Sequence, residues 1–157
     1  PDATLNIYYG WESWVKAEGK NEFYKRMCRK IEELKEHGVT EHGRVSHEEL
    51  AEHYLESKVW AYPTEFTETF CITAVKANLA GCKVVTTDVA ALKETAGPQA
   101  TIIETDSMYS DQYAQKMFVD AVVKALEGGE DSIEQRKWAQ RFDWKNVAKQ
   151  WEEVING

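Results

Sequence analysis

Glu68 and Lys76 bound the run Glu68-Thr69-Phe70-Cys71-Ile72-Thr73-Ala74-Val75-Lys76, an apolar stretch opened by a carboxylate and closed by an ammonium. Read as helix throughout, the span between them advances about 12 Å and turns about 80° around the axis. The two charges are therefore no mutual ion pair, but they can touch two parts of one extended ligand. A carboxylate just ahead of a helix can accept hydrogen bonds from sugar hydroxyls, and the first free amides of that helix suit phosphate or sugar oxygens. A plainer role stays equally open for Glu68, which at that place would complement the helix dipole. Thr69, Thr73 and Lys76 form one polar stripe at helical spacing. It faces either solvent or a ligand cleft, and the pattern alone favours solvent. The remaining residues from Phe70 to Ala80 are apolar nearly all round, as in a helix buried against a sheet.

Other reactive types are less organised. Tyr8, Tyr9, Trp11 and Trp14 gather near the end of a first strand, where they either stack on a base or sugar or pack as core and rim. His37, His42, His47 and His53 fall on different elements and match no compact metal site. No Cys-His or Ser-His-Asp arrangement can be defended, so no catalytic residue is assigned. Cys28, Cys71 and Cys82 lack metal spacing, and two of them lie inside apolar runs, which reads as reduced thiols of a cytoplasmic protein.

The elements that must position these residues alternate. Strand-like segments at Leu5 to Tyr9, Val39 to His42, Val59 to Tyr62, Val84 to Thr87 and Ala100 to Glu104 are separated by helical patterns near 21–37, 47–57, 70–80, 89–96 and 111–127. Gly38 and Gly81 close helices, and Ser46 with Glu49 forms a capping box. The order predicts an α/β fold, a Rossmann-like parallel sheet with helices on both faces. Ser132 to Ile155 predicts two further helices packed across the sheet or onto a neighbour. In such sheets ligands bind beyond the carboxyl ends of the strands, which selects Gly10-Trp11, Gly43 to Val45, Pro63 to Glu68 and Thr86 to Asp88.

The 157 residues carry 19 Lys+Arg against 27 Asp+Glu, a formal charge of -8. That balance disfavours nucleic acid and anionic membranes as bulk partners. No apolar run approaches the ~20 residues of a membrane span. The length suits one domain or one lobe of something larger. Because Pro1 leads straight into a strand, the chain is expected to begin inside a domain.

Residues 42–97 resemble the donor-binding domain of group 1, family 4 glycosyltransferases of the GT-B fold. The resemblance rests on an ordered run: Gly43-Arg44-Val45-Ser46, Tyr62-Pro63-Thr64, Glu68-Thr69-Phe70-Cys71, Ala80-Gly81, Val84-Val85 and Leu92-Lys93-Glu94. It implies that Glu68 holds the donor sugar's hydroxyls, with Thr69 in the same turn. The amides of Phe70, Cys71 and Ile72 would meet sugar and phosphate, and Gly43, Arg44 and Val45 would line the nucleobase pocket.

A second family glutamate, which binds the ribose, falls on Lys76. A lysine donates but does not accept, so it would reach a phosphate instead, or pair with Glu65 or Asp88. Lys83 stands where the family has proline. The resemblance further implies hexosyl transfer from a nucleotide sugar with retention, no cofactor and no obligatory metal. The donor domain would then be a C-terminal fragment, inert alone, without its first βα unit and its acceptor domain. Two rivals are a nucleotide-sugar epimerase or phosphorylase of the same architecture, and a non-catalytic sugar-nucleotide binding module.

Overall fold

The alternation of strands and helices is realised in the computed structural model as two parallel sheets, described over residues 2–9, 11–129 and 133–157. Pro1, Gly10 and Ser132, which carried expectations above, lie outside the described residues. The chain divides into two compact units, Pro1–Leu50 and Ala51–Gly157.

In the first unit, β1 (Leu5–Tyr8) is followed by α1 (Glu12–Glu18), α2 (Glu22–Leu34), a 3-10 turn (Lys35–His37) and β2 (Val39–Gly43). The two strands run parallel with Leu5 opposite Val39, and a slip after Ile7 brings Tyr8 opposite Gly43. Asn21 caps α2 by accepting the Tyr24 amide at 2.9 Å, and Gly38 leaves the helix in the left-handed region at φ 82°. Helix α3 (His47–Glu56) starts as expected: the Ser46 hydroxyl accepts the Glu49 amide at 3.1 Å. Helix α1 has no counterpart in the sequence reading.

The second unit continues with β3 (Val59–Tyr62), α4 (Ile72–Ala80), β4 (Lys83–Thr87), α5 (Leu92–Thr95), β5 (Thr101–Ile103), α6 (Gln112–Glu127), α7 (Ile133–Gln140) and α8 (Trp144–Asn156). Its sheet is all parallel in the order β3-β4-β5. Strand β4 is central and buried on both faces, as parallel strands must be. Val85 packs with Ile103, Met108 and Phe118 on the α6 side. Its neighbour Val84 packs with Ala77, Cys82 and Ala96 on the α4 side. Alternating side chains thus meet helices on both faces, which is the architecture the sequence implied.

Three details depart from expectation. Helix α4 begins at Ile72, two residues later than the apolar pattern suggested, because Phe70 and Cys71 belong to the preceding loop. It is not buried all round, since Ile72 and Leu79 are 60% and 48% exposed. The helix read over 89–96 shrinks to Leu92–Thr95. No helix among the described residues is long and apolar enough to cross a membrane.

The amino end of this sheet gathers cations. Lys58, Lys83 and Arg136 line a recess of about 370 Å³ beside the last residues of α3 and α4. Arg136 donates to the carbonyl of Ala80 at 2.8 Å, satisfying one of the orphan acceptors that end α4. The Lys83 ammonium lies against Gly128, just past α6, where an added Cβ would collide with it. Positive groups at helix carboxyl ends oppose the macrodipole, so the lysine at position 83 has a structural reason.

Candidate functional site

At the opposite, carboxyl end of β3-β4-β5, the loop from Pro63 to Cys71 is held by its neighbours. On β4, Thr86 donates its hydroxyl to the Tyr62 carbonyl at 2.9 Å and Thr87 donates to the Thr64 carbonyl at 2.6 Å. Both threonines are fully buried; their hydroxyls serve backbone acceptors that the ladder leaves open, which removes the cost of burying them. Thr64 in turn accepts the Phe66 amide at 3.0 Å, tightening the first bend.

Glu68 is half-buried in this loop. Its carboxylate accepts the Tyr62 phenol at 3.0 Å, and its backbone carbonyl accepts the Ala91 amide at 3.1 Å. The side chain is therefore pinned from β3 and the main chain from the loop after β4. Burial raises the Tyr62 pKa; the Thr64 hydrogen bond partly offsets this, and the Glu68 bond and charge reinforce it. Three residues separate Glu68 from α4, so the dipole role offered by the sequence is displaced: the carboxylate answers to Tyr62.

Neighbouring acids are equally engaged. Glu65 accepts the Ser107 hydroxyl at 2.9 Å and the Tyr109 amide at 2.7 Å. Asp88 pairs with Lys93 at 3.2 Å and accepts the Thr105 amide at 3.3 Å. Burial pushes the Asp88 carboxyl up, but the Lys93 and Thr105 hydrogen bonds together with the Lys93 charge outweigh it, and the net pKa is lowered. Glu65 and Asp88 are thus committed to the loop after β5 and to Lys93. Neither pairs with Lys76, which is half-buried and forms no ion pair among the described residues.

At the start of α4, the Ile72 amide donates to the Phe70 carbonyl at 3.1 Å, while Val75 makes the first helical bond, to Cys71 at 3.3 Å. The amides of Thr73 and Ala74 precede that ladder, but Ala74 is fully buried, so the exposed Thr73 supplies the open donor of this helix end. Of the expected trio of Phe70, Cys71 and Ile72 amides, that of Ile72 is engaged within the loop by the Phe70 carbonyl. Cys71 is buried, with its sulfur 3.2 Å from the Thr73 hydroxyl. Thr69 is exposed in the loop and cannot share a helical stripe with Thr73 and Lys76. Phe70 packs edge-on against Phe142 at 5.4 Å, and Arg141 lies 4.7 Å over the same Phe142 ring.

In the first unit, Gly43 ends β2 at φ +68°, a value glycine takes without strain. Arg44 is exposed; it donates to the Ser13 hydroxyl at 3.4 Å and lies 3.7 Å from Glu12. Val45 is half-buried. Gly43 borders an open pocket of about 500 Å³ whose walls include Tyr9, Trp11, Tyr24, Lys20 and Glu41. Trp11 meets Tyr24 edge-to-face at 5.5 Å and donates its indole N–H to Glu41 at 2.5 Å. Trp14 instead leans on Phe23, and Tyr8 stacks on His42 at 4.7 Å. The four aromatics of the sequence reading therefore divide: Tyr9 and Trp11 line the pocket, Tyr8 and Trp14 pack.

Glu41 was missed from sequence, although a signal existed. Strand alternation puts it on the same face as Val39, which is buried, and a carboxylate on a buried face calls for a reason. Tyr62 and Glu65 were seen only as motif and as a partner for lysine.

The model of the family described as glycosyl transferases group 1 matches residues 10–142. Among solved structures, sucrose-phosphate synthase from Thermosynechococcus elongatus superposes with a TM-score of 0.65 at 18% identity, covering 99% of this chain and 46% of that one. A GtfA/B complex chain superposes with a TM-score of 0.70 at 17% identity, covering 98% of this chain and 29% of that one. Both likenesses bear on the fold. No curated protein matches the chain by sequence.

Proposed function

This chain belongs to the group 1 glycosyltransferases, and we propose that it is the donor-binding lobe of a family 4 enzyme that moves a hexose from a nucleotide sugar to an acceptor. The observation that carries the reading is Glu68, a carboxylate fixed by Tyr62 beyond the carboxyl ends of the strands and beside an open helix start. A carboxylate offers two oxygens to neighbouring hydroxyls of a sugar. The Thr73 amide, with the dipole of α4, suits the diphosphate, and Lys76 supplies charge for the departing nucleoside diphosphate. Gly43, Arg44 and Val45 serve the nucleobase.

The chain spans less than half the length of the two solved structures it resembles. The acceptor, its binding domain and further cations for the diphosphate are accordingly proposed for parts of the protein outside this sequence, and the isolated chain is expected to be inert. Transfer would proceed with retention, without cofactor or obligatory metal, in the cytoplasm, where three free cysteines persist.

Calorimetric titration of the chain with UDP, GDP, ADP and their hexose conjugates, repeated on Glu68→Ala, tests this. One conjugate is expected to bind more tightly than its free diphosphate, and the mutation to erase that difference. A conjugate no tighter than its diphosphate would remove the sugar role. Lys76 favours a second reading, a binding module without turnover, because its ammonium cannot accept the ribose hydroxyls. A gain of donor affinity in Lys76→Glu would indicate decay from an enzyme, and a loss would mean that the lysine touches the ligand itself.

A further inference from the structure

The pocket at the carboxyl ends of β1 and β2 carries more information than the family motif beside it. Its walls are aromatic: Tyr9 is 57% exposed, and Trp11 and Tyr24 meet edge-to-face. At about 500 Å³ it falls within the usual range of small-molecule sites. Flat rings stack on such walls whatever their edge chemistry. Selection among them must come from polar groups.

Of the two carboxylates that line the pocket, Glu12 lies beside Arg44, whereas Glu41 is anchored to the aromatic wall. Its Oε1 accepts the Trp11 indole N–H at 2.5 Å, which fixes the side chain. Each carboxylate oxygen has two acceptor positions, so Oε2 and half of Oε1 stay open to a ligand. Glu41 stands in the second half of β2, two residues before Gly43, and both line the pocket. Lys20, which also lines the pocket, supplies a donor.

From this arrangement we infer that the pocket selects guanine among nucleotide bases, with Glu41 as the specificity-determining residue. The inference rests on the donor-lobe reading and names its substrate class. Guanine presents two adjacent donors, the ring N1–H and the exocyclic amine, which meet both oxygens of a carboxylate. Uracil presents a single N–H between two carbonyls, so the second carboxylate oxygen would face an acceptor. Adenine sets its amine beside a bare ring nitrogen, with the same conflict. An acceptor left facing an acceptor in a partly desolvated site is costly. Guanine's O6 is left for a donor such as Lys20.

The test titrates the chain with GDP, UDP, ADP and inosine diphosphate, following tryptophan fluorescence and heat. Inosine keeps N1–H and lacks the exocyclic amine. GDP is expected to bind about tenfold or more tightly than the other three. Glu41→Gln keeps an acceptor for Trp11 and replaces one oxygen by a donor, so the GDP advantage over inosine diphosphate should fall to within about threefold. Far-ultraviolet dichroism and melting of the variant check that the unit still folds, and Glu41→Asp, which retains the carboxylate on a shorter stem, should keep part of the preference. If UDP or ADP binds best while its hexose conjugate still depends on Glu68, the guanine inference falls and the donor reading survives. If no nucleoside diphosphate binds, both fall. A GDP preference untouched by Glu41→Gln would overturn the role of Glu41.

Discussion

Replacing Tyr62 by phenylalanine removes one hydroxyl and tests whether Glu68 is a positioned ligand-binding group. The phenol donates to the Glu68 carboxylate at 3.0 Å, and the two side chains are both half-buried. Hydrogen bonds to charged groups contribute about 1.5–3 kcal/mol when shielded. Solvent competes at this depth, so about 1 kcal/mol is expected for stability. For a unit the size of the second one, that corresponds to roughly 4 °C in Tm.

The effect on ligand follows from ordering. A freed glutamate must be immobilised when sugar binds, at about 0.5–1.5 kcal/mol for a flexible side chain, or roughly 2- to 13-fold in Kd. The opposing effect, one acceptor position released to the ligand, is smaller because the carboxylate already has others. The nucleotide sugar should therefore weaken while the free diphosphate does not. A cycle with Glu68→Gln should show coupling of about 1 kcal/mol. Additive effects within about 0.3 kcal/mol, with unchanged conjugate affinity, would refute the positioning argument.

Gly97→Ala should be strongly destabilising, because φ is +94° and the new Cβ would lie 2.6 Å from the Asn78 side-chain oxygen. Asn78 cannot yield freely, since its amide nitrogen donates to the Ala74 and Ala96 carbonyls, each at 2.8 Å. Together these cost about 3 kcal/mol in denaturant unfolding, and a loss below about 1 kcal/mol would contradict the packing. Ala90→Gly should stabilise, because Ala90 sits at φ 47°. Relief of about 1–2 kcal/mol exceeds the backbone entropy of glycine and leaves about 0.5 kcal/mol, readable as a higher Tm. Stability should also fall at alkaline pH. Burial, above all, pushes the Cys82 thiol up to about 11 and the Tyr54 phenol up to about 12. Both groups have raised folded pKa values, so the unfolded chain ionises first, and stability is lost as pH rises from about 9 to 12. Cys82→Ala should flatten the lower part of that decline in a pH series of melts.

The parallel sheet of the second unit was legible because β3, β4 and β5 are short β-branched and aromatic runs that alternate with helical patterns, one of them closed by Gly81. Thr86 and Thr87 were legible as strand but not as deeply buried residues, since their burial depends on carbonyls of Tyr62 and Thr64 that lie more than twenty positions away. Helix α1 stayed hidden because Trp11 precedes it without a side-chain cap and none of its residues is buried. Neither a start signal nor an apolar stripe marks it. The start of α4 was misread for a related reason. Phe70 continues the apolar run, yet it belongs to a loop because it packs on Phe142, a contact that no local pattern reveals. The last two helices also part ways: α7 buries Gln135 and Ala139, whereas α8 buries none of its residues.

The two lysines that depart from the family pattern separate along the same lines. Lys83 belongs to the amino end of the sheet, where α4 and α6 finish and where Arg136 also serves a helix terminus. It is explained by helix electrostatics without any ligand. Lys76 stands at the middle of α4, where a positive charge gains nothing from the dipole. Its former candidate partners Glu65 and Asp88 are engaged elsewhere. Lys76 is half-buried and forms no ion pair among the described residues, so its ammonium is left for an anion, and a diphosphate is the anion that the neighbouring Thr73 amide also suits. Added GDP or inorganic pyrophosphate should therefore raise the Tm of the wild-type chain and raise it less in Lys76→Met, whereas Lys83→Met should lower the starting Tm and leave the increment unchanged. Equal increments in all three proteins would return Lys76 to the solvated stripe.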